Sequence, residues 1–239
     1  MAATAWTVMR TWIGCNDSGD ARQSGYGLWR KLVNLGLALL TLTCLAAPAG
    51  AATRILALGD SLTAGYGLPA ADSFPVRLQA WLRDHGLAAE VINAGVSGDT
   101  SAGGLARLDW SLAEPADAVL VELGANDALR GVDPKETYKN LDEILSRLDR
   151  RHAKVLLLGM MAPANWGADY QAAFGAIFPA LAERHHVLLY PFFLDGVALD
   201  PALNQPDGLH PNARGVAVIV DRVGPYVLRL IGAASAGNG

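Results

Sequence analysis

The stretch RILALGDSLTAGYG, residues 54–67, decides the fold. Its apolar run, residues 55–58, stops at Gly59, and the polar residues Asp60 and Ser61 follow directly. A short apolar run that ends at glycine and leads into a turn predicts a buried strand that opens an α/β unit. In such folds chemistry takes place just beyond the carboxyl ends of the strands, so Ser61 is a candidate nucleophile.

The same alternation of apolar runs and helical patterns continues along the chain. Short apolar runs bounded by turn residues predict strands at residues 55–58, 90–94, 118–123, 154–158 and 187–190. Segments with helical spacing predict helices at residues 73–83, 101–112, 134–150, 169–184 and 211–231. Strands that alternate with helices predict a three-layer α/β/α sandwich around a five-stranded, mainly parallel sheet.

Three residues refine the predicted helices. Ser73 is expected to cap the first of them, because serine is a preferred N-cap residue. Pro179 predicts a kink inside the segment 169–184, and Pro211 is expected to open the last helix.

Residues 28–51 have the layout of a secretory signal peptide. The basic residues Arg30 and Lys31 precede an apolar centre, residues 32–45, and a run of small residues ends at Ala51. The apolar centre is too short to span a bilayer comfortably. We therefore expect cleavage near Ala51, no stable membrane anchor afterwards, and a periplasmic or secreted protein.

The chain is thus predicted to have three parts. Residues 1–51 form a leader, residues 52–232 form a single domain, and residues 233–239 form a flexible tail. Residues 1–27 are either a long region before the signal peptide or the product of a start codon assigned too early.

The composition of the predicted domain excludes several kinds of site. Both cysteines, Cys15 and Cys44, lie in the leader, which excludes a disulfide framework, a thiol nucleophile and a cysteine metal site from the domain. Without residues 1–51 the chain carries 15 basic and 21 acidic residues, a net charge of −6. An acidic domain without a basic stripe does not favour nucleic-acid binding. Four histidines are too scattered to suggest a metal site: His85, His152, His185 and His186.

Polar clusters follow four of the predicted strands, and one edge of a parallel sheet would collect them. Hydrolysis by serine needs a hydroxyl, a base, a group that orients the base, and hydrogen-bond donors for the oxyanion. Ser61, His210 and Asp207 match the first three requirements in kind, and Gly98 and Asn126 match the last.

Each of these residues also has a structural explanation. Ser61 could cap the following helix, Gly98 could be a turn glycine, and Asn126 could close a turn. The segment from Asp207 to His210 could be the capped start of a helix. These explanations leave open why such residues follow successive strands.

The four clusters resemble the sequence blocks of the SGNH, or GDSL, hydrolase family. The blocks are Gly59-Asp60-Ser61-Leu62, Gly98 within Ser97-Gly98-Asp99-Thr100, Gly124-Ala125-Asn126-Asp127, and Asp207-Gly208-Leu209-His210-Pro211. They occur in the family's order and cover the domain from residue 54 to residue 231. Residues 121–124, 129–131 and 191–193 make the chain most similar to the bacterial periplasmic acyl-CoA thioesterase, lysophospholipase and arylesterase branch. Ala125 departs from the pattern, since a glycine is common there.

The resemblance implies a flavodoxin-like SGNH hydrolase fold and a role for each residue. Ser61 would attack the acyl carbon, His210 would take its proton, and Asp207 would hold the tautomer of the imidazole. The backbone N–H groups of Ser61 and Gly98 and the side-chain amide of Asn126 would form the oxyanion hole. No metal or organic cofactor is implied.

The implied activity is hydrolysis of a small-molecule acyl ester or acyl thioester, of the arylesterase, lysophospholipase or acyl-CoA thioesterase type, by a protein that we expect to be a monomer. Apolar residues in the predicted edge loops suggest a substrate groove: Leu129, Met161, Pro163 and Trp166. Two alternatives stay open. One is a carbohydrate acetylesterase with the same site, and the other is a flavodoxin-like binding module whose loop at Ser61 cradles a phosphate.

Overall fold

The computed structural model describes residues 52–232. The predicted leader, residues 1–51, and the predicted tail, residues 233–239, lie outside the described residues, so the expected signal peptide stays a prediction. No helix in the described part of the chain is long and apolar enough to cross a membrane.

A five-stranded parallel sheet forms the centre of this part. Its strands are β1 (Thr53–Gly59), β2 (Ala89–Gly95), β3 (Ala118–Glu122), β4 (Lys154–Leu158) and β5 (Leu188–Tyr190). Their order across the sheet is β2-β1-β3-β4-β5, and every neighbouring pair is parallel. This order is that of flavodoxin-like folds, in which the strand order reverses beside β1. The predicted sheet is confirmed.

Helices cover both faces of the sheet. They are α1 (Ser61–Ala64), α2 (Phe74–Asp84), α3 (Ser101–Ala106), α4 (Leu108–Ser111), α5 (Ala125–Arg130), α6 (Pro134–Arg150), α7 (Ala168–Gly175), α8 (Ile177–His185) and α9 (Ala213–Ile231). Helices α2 and α9 pack against each other on one face, and α3, α6 and α8 pack together on the other. The predicted three-layer sandwich is therefore confirmed.

The central strands are buried on both sides, as expected for a parallel sheet between two helical layers. All five residues of β3 are buried, and so are Ile55 to Gly59 of β1. Burying a Leu or Ile side chain contributes about 1.5–3 kcal/mol to the free energy of folding, so the residues of these two strands form a large part of the stabilising core.

The register of the sheet places three loops side by side. Gly59, the last residue of β1, is aligned with Gly95 at the end of β2 and with Glu122 at the end of β3. The segments that follow β1, β2 and β3 consequently leave the sheet at one edge, which is where the polar clusters were predicted to meet.

Two predicted helices are broken in the structure. The segment 101–112 divides into α3 and α4 at Arg107, whose guanidinium donates to the carboxylate of Asp99 and to the carbonyl of Gly59. The segment 169–184 divides at Ala176, so the predicted kink at Pro179 is wrong. Pro179 lies in the first turn of α8, where backbone N–H groups have no acceptor within the helix. A proline there removes no helical hydrogen bond and causes no kink.

Two helix starts also differ from the prediction. Ser73 precedes α2, but its hydroxyl donates to the carbonyl of Ala70 at 2.8 Å and makes no capping bond. The last helix begins at Ala213 rather than at Pro211, because the side chain of Asn212 caps it by accepting the N–H groups of Arg214 and Gly215.

Candidate active site

Ser61 lies at the start of α1, directly beyond the end of β1. Asp60 is the N-cap of this short helix, and its Oδ1 accepts the N–H of Leu62 at 2.9 Å. The explanation of Ser61 as a helix cap is therefore wrong. Its hydroxyl is free for another partner, and the side chain faces the cavity described below.

Ser61, His210 and Asp207 form a continuous hydrogen-bonded chain. Nε2 of His210 lies 2.9 Å from Oγ of Ser61, although 149 positions separate the two residues. Nδ1 of the same imidazole lies 2.6 Å from Oδ2 of Asp207. The structure thus brings together all three residues that the sequence predicted to act in proton transfer.

The turn that contains Asp207 keeps its carboxylate ionised. Oδ1 accepts the backbone N–H of His210 at 3.0 Å and that of Leu209 at 2.9 Å. These two bonds, followed by the bond to the imidazole, lower the pKa of Asp207 to about 2. Gly208 makes the turn possible with a positive φ of 70°. An ionised Asp207 favours the tautomer in which His210 carries its proton on Nδ1 and accepts at Nε2.

Gln205 and Tyr66 hold this histidine loop in place, and the sequence did not single out either residue. The N–H of Gln205 donates to the carbonyl of His210 at 2.7 Å, and its side-chain amide donates to the carbonyls of Tyr66 and Pro211. The ring of Tyr66 packs on the imidazole with 4.6 Å between centroids. Tyr66 belongs to the same opening stretch as Ser61, so this stretch supports both ends of the Ser–His pair.

The predicted oxyanion donors come from the loops after β2 and β3. Asn126 lies in the first turn of α5, and its Nδ2 donates to Oδ2 of Asp60 at 3.0 Å. Gly98 has a positive φ of 87°, and its carbonyl accepts a hydrogen bond from Arg130 at 2.9 Å. Among residues 52–232, no acceptor forms a hydrogen bond with the N–H groups of Ser61 and Gly98.

Buried and partly buried polar contacts fix these two loops. Arg107 donates to Asp99, next to Gly98, at 2.6 Å and to the carbonyl of Gly59 at 2.8 Å, which ties the second loop to the end of β1. Asp127, next to Asn126, accepts the N–H and the hydroxyl of Ser101 at 2.7 and 2.5 Å. Groups held by several hydrogen bonds are preorganised donors, as oxyanion stabilisation requires.

A cavity of about 590 Å³ opens at Ser61, Asn126 and His210. Of the predicted substrate residues, Leu129, Met161 and Pro163 line it. Trp166 does not belong to the lining, and its ring lies 6.2 Å from that of Tyr170. Further apolar residues line the cavity: Leu62, Ala125, Met160, Ala162, Phe192, Leu194, Leu199 and Leu209.

Part of this lining was not predicted. Phe192, Leu194 and Leu199 follow β5 in a segment without helix or strand, so no periodic pattern in the sequence marks them. Within residues 52–232 no three metal-binding side chains come together.

The chain matches the sequence model of the GDSL-like Lipase/Acylhydrolase family over residues 57–218. It is 41% identical over 194 residues to the arylesterase of Vibrio mimicus, and the aligned region covers 81% of this chain and 97% of the arylesterase. It is 43% identical over 186 residues to thioesterase 1/protease 1/lysophospholipase L1 of Escherichia coli K12, covering 77% of this chain and 88% of the relative. The crystal structure of TesA superimposes with a TM-score of 0.71 and 40% identity, covering 74% of this chain and 99% of that one. The predicted resemblance and its branch are confirmed, and the chain belongs to the GDSL-like lipase/acylhydrolase, or SGNH hydrolase, family.

Proposed function

We propose that this chain hydrolyses acyl esters and acyl thioesters through an acyl-enzyme formed on Ser61. The observation that carries the proposal is the hydrogen-bonded chain Asp207–His210–Ser61 at an apolar cavity. The names of the relatives, an arylesterase and a thioesterase/lysophospholipase, support an ester-hydrolysing enzyme of this kind.

Acylation begins when Nε2 of His210 takes the hydroxyl proton of Ser61. Oγ of Ser61 then attacks the acyl carbon, and the carbonyl oxygen becomes an oxyanion. The N–H groups of Ser61 and Gly98 and the amide of Asn126 donate to this oxyanion. His210 delivers its proton to the departing alcohol or thiol, which leaves the acyl group on Ser61.

Deacylation repeats these steps with water as the nucleophile. His210 takes a proton from the water, the same donors hold the second oxyanion, and the proton returns to Oγ of Ser61 as the acid leaves. The ionised Asp207 stabilises the imidazolium that forms in both halves of the reaction.

The lining of the cavity favours an acyl chain over a sugar. Leu129, Met161, Phe192 and their apolar neighbours supply few partners for the hydroxyl groups of a carbohydrate. The carbohydrate acetylesterase alternative is therefore less well supported. The binding-module alternative would leave the bonds between Ser61, His210 and Asp207 without a role.

A panel of substrates tests the proposed function. We expect hydrolysis of p-nitrophenyl esters and acyl-CoAs, with kcat/KM rising as the chain lengthens from acetyl, by up to about fourfold for each buried methylene. Acetylated xylan and acetylated sugars serve as the comparison. Preference for the acetylated carbohydrate, or no hydrolysis of any ester, would contradict the proposal.

Asn126→Ala is expected to lower kcat by about 10²–10³-fold with little change in KM. The amide of Asn126 would bind the oxygen of the transition state more strongly than that of the bound ester, so its loss affects turnover rather than binding. Steady-state kinetics on p-nitrophenyl butyrate measure both constants. Asn165→Ala is the matched control, because Asn165 is exposed and does not line the cavity. Equal values of kcat and KM in the two variants would show that Asn126 does not donate to the oxyanion.

We also infer that the enzyme acts in the periplasm or outside the cell, without a stable membrane anchor after cleavage. The support is the signal-peptide layout of residues 28–51. Cell fractionation and the N-terminal sequence of the purified protein would locate the cleavage site.

A further inference from the structure

Two carboxyl groups lie buried together beside Ser61. Asp60 is 0% exposed and Glu122 is 1% exposed. The register of the sheet causes this pairing, because Glu122 ends β3 opposite Gly59, the residue before Asp60. The proposed reaction uses neither group directly.

The two carboxyl groups differ in their hydrogen bonds. Both oxygens of Asp60 accept N–H donors, Oδ1 from Leu62 at 2.9 Å and Oδ2 from Asn126 at 3.0 Å. Oε2 of Glu122 accepts the hydroxyl of Thr63 at 2.8 Å and the N–H of Asp60 at 3.2 Å. Oε1 of Glu122 is buried without a hydrogen-bond partner among the described residues. The bond from the N–H of Asp60 to Oε2 places the carboxyl group of Glu122 directly against Asp60.

No cation in residues 52–232 forms an ion pair with either acid. The guanidinium of Arg107 donates instead to the carbonyl of Gly59, the residue before Asp60, and to Asp99. A positive charge on the imidazole of His210, such as the one that forms during the reaction, lowers the pKa of Asp60 and so favours its anion. Burial, and then the negative charge of Asp60, raises the pKa of Glu122 well above its usual range. Two adjacent buried carboxylates cannot both ionise at low cost, so one of them keeps a proton.

We propose that Glu122 carries this proton on Oε1 and donates it to Asp60, so that the ionised Asp60 holds the amide of Asn126 in its oxyanion-binding orientation. Asp60, whose oxygens both accept N–H donors, is the acid suited to be the anion, and the oxygen of Glu122 without a donor is the one suited to bear hydrogen. Glu122 is thus a positioning residue that acts through Asp60 and Asn126. This role rests on the proposed function of Asn126.

The glycine at position 59 fits this arrangement. A Cβ at this position would lie 2.6 Å from Oε2 of Glu122 and 2.1 Å from Oγ1 of Thr63. Any side chain here would therefore displace the acid or its hydroxyl partner. The glycine of the first sequence block leaves the space that the buried acid occupies.

Infrared spectroscopy tests the protonation state without reference to catalysis. At neutral pH the parent should show the carbonyl stretch of a protonated carboxylic acid, which Glu122→Gln should abolish. Glu183→Gln, at an exposed position, is the matched control and should keep the band. Isotopic labelling of the glutamate carboxyl carbons should shift the band, since the proton resides on a glutamate. A parent without the band, or a band that the label does not move, would overturn the proposal.

Kinetics test the positioning role. Glu122→Gln keeps a donor toward Asp60 and should retain kcat within about threefold. Glu122→Met has a side chain of similar length but no donor, and it should lower kcat by about tenfold or more at nearly unchanged KM. This loss is smaller than the one expected when an oxyanion donor is removed completely, because Asn126 is still present. In the Asn126→Ala background the same substitution should cost less than about twofold, because Glu122 acts through Asn126.

The outcomes separate this proposal from the proposed function. Equal losses from Glu122→Met with and without Asn126 would show a general structural role and overturn the positioning. If Glu122→Met does not fold, two results still test the proposal. The infrared band must be present in the parent and absent from Glu122→Gln, and Glu122→Gln must retain kcat within about threefold. The infrared band should also persist in Ser61→Ala, so a wrong nucleophile assignment would leave the protonation result standing.

Discussion

Ser61→Ala is expected to lower kcat on p-nitrophenyl butyrate by at least about 10⁴-fold. Removal of the serine deletes the attacking oxygen, and the residual rate would come only from the oxyanion donors and substrate binding. The variant should fold like the parent, because Asp60 rather than Ser61 caps α1 and an alanine is a good helix residue. Discontinuous assays at high enzyme concentration measure the residual kcat, and circular dichroism of the same samples checks that the variant is folded.

Labelling with a fluorophosphonate identifies the nucleophile independently. The parent should gain one adduct at Ser61, located by mass spectrometry of peptides, and Ser61→Ala should gain none. Ser146→Ala is the control, since Ser146 lies on the partly exposed side of α6 and outside the cavity lining. Activity of Ser61→Ala within tenfold of the parent, or an adduct on another serine, would show that Ser61 is not the nucleophile.

The meeting of the site residues could be predicted from the sequence because the loops that follow the strands of a parallel sheet lie at one edge of that sheet. Ser61 and Asn126 follow β1 and β3, which are hydrogen-bonded neighbours, so their meeting follows from topology alone. The segment from Asp207 to His210 carries its own geometry, a turn with Gly208 that folds the carboxylate onto the imidazole. Local patterns of this kind predict local structure well, as the bounds of α6 also show.

The features that escaped prediction depend on contacts between distant segments. The break at Arg107 coincides with a bond to the carbonyl of Gly59, and no property of residues 101–112 alone indicates it. The pairing of Glu122 with Asp60 requires the register of β1 against β3, although Glu122 stands out in the sequence as the one acid in an apolar strand. The cavity wall after β5 likewise comes from tertiary packing of an irregular segment.

Asp207→Asn is expected to lower kcat by about 10⁴-fold, with the fold kept. Oδ1 would still accept the N–H groups of Leu209 and His210, since the amide can turn its oxygen toward them. The amide nitrogen would then face Nδ1 of His210 at the place where Oδ2 now lies 2.6 Å away. Two donors cannot share this bond, so the imidazole would move its proton to Nε2 and could no longer accept the proton of Ser61.

This substitution separates the role of the charge from that of the turn. Asp200→Asn is the matched control, because Oδ1 of Asp200 accepts the N–H of Ala202 in a similar turn without contacting a histidine. It should leave kcat within about twofold of the parent. Proton NMR of the imidazole N–H groups reports the tautomer directly, and Asp207→Asn should lose the signal of the Nδ1 proton. Loss of less than tenfold in kcat, or an unchanged Nδ1 signal, would mean that Asp207 only shapes the turn, because a neutral amide would then serve the histidine as well as the carboxylate does.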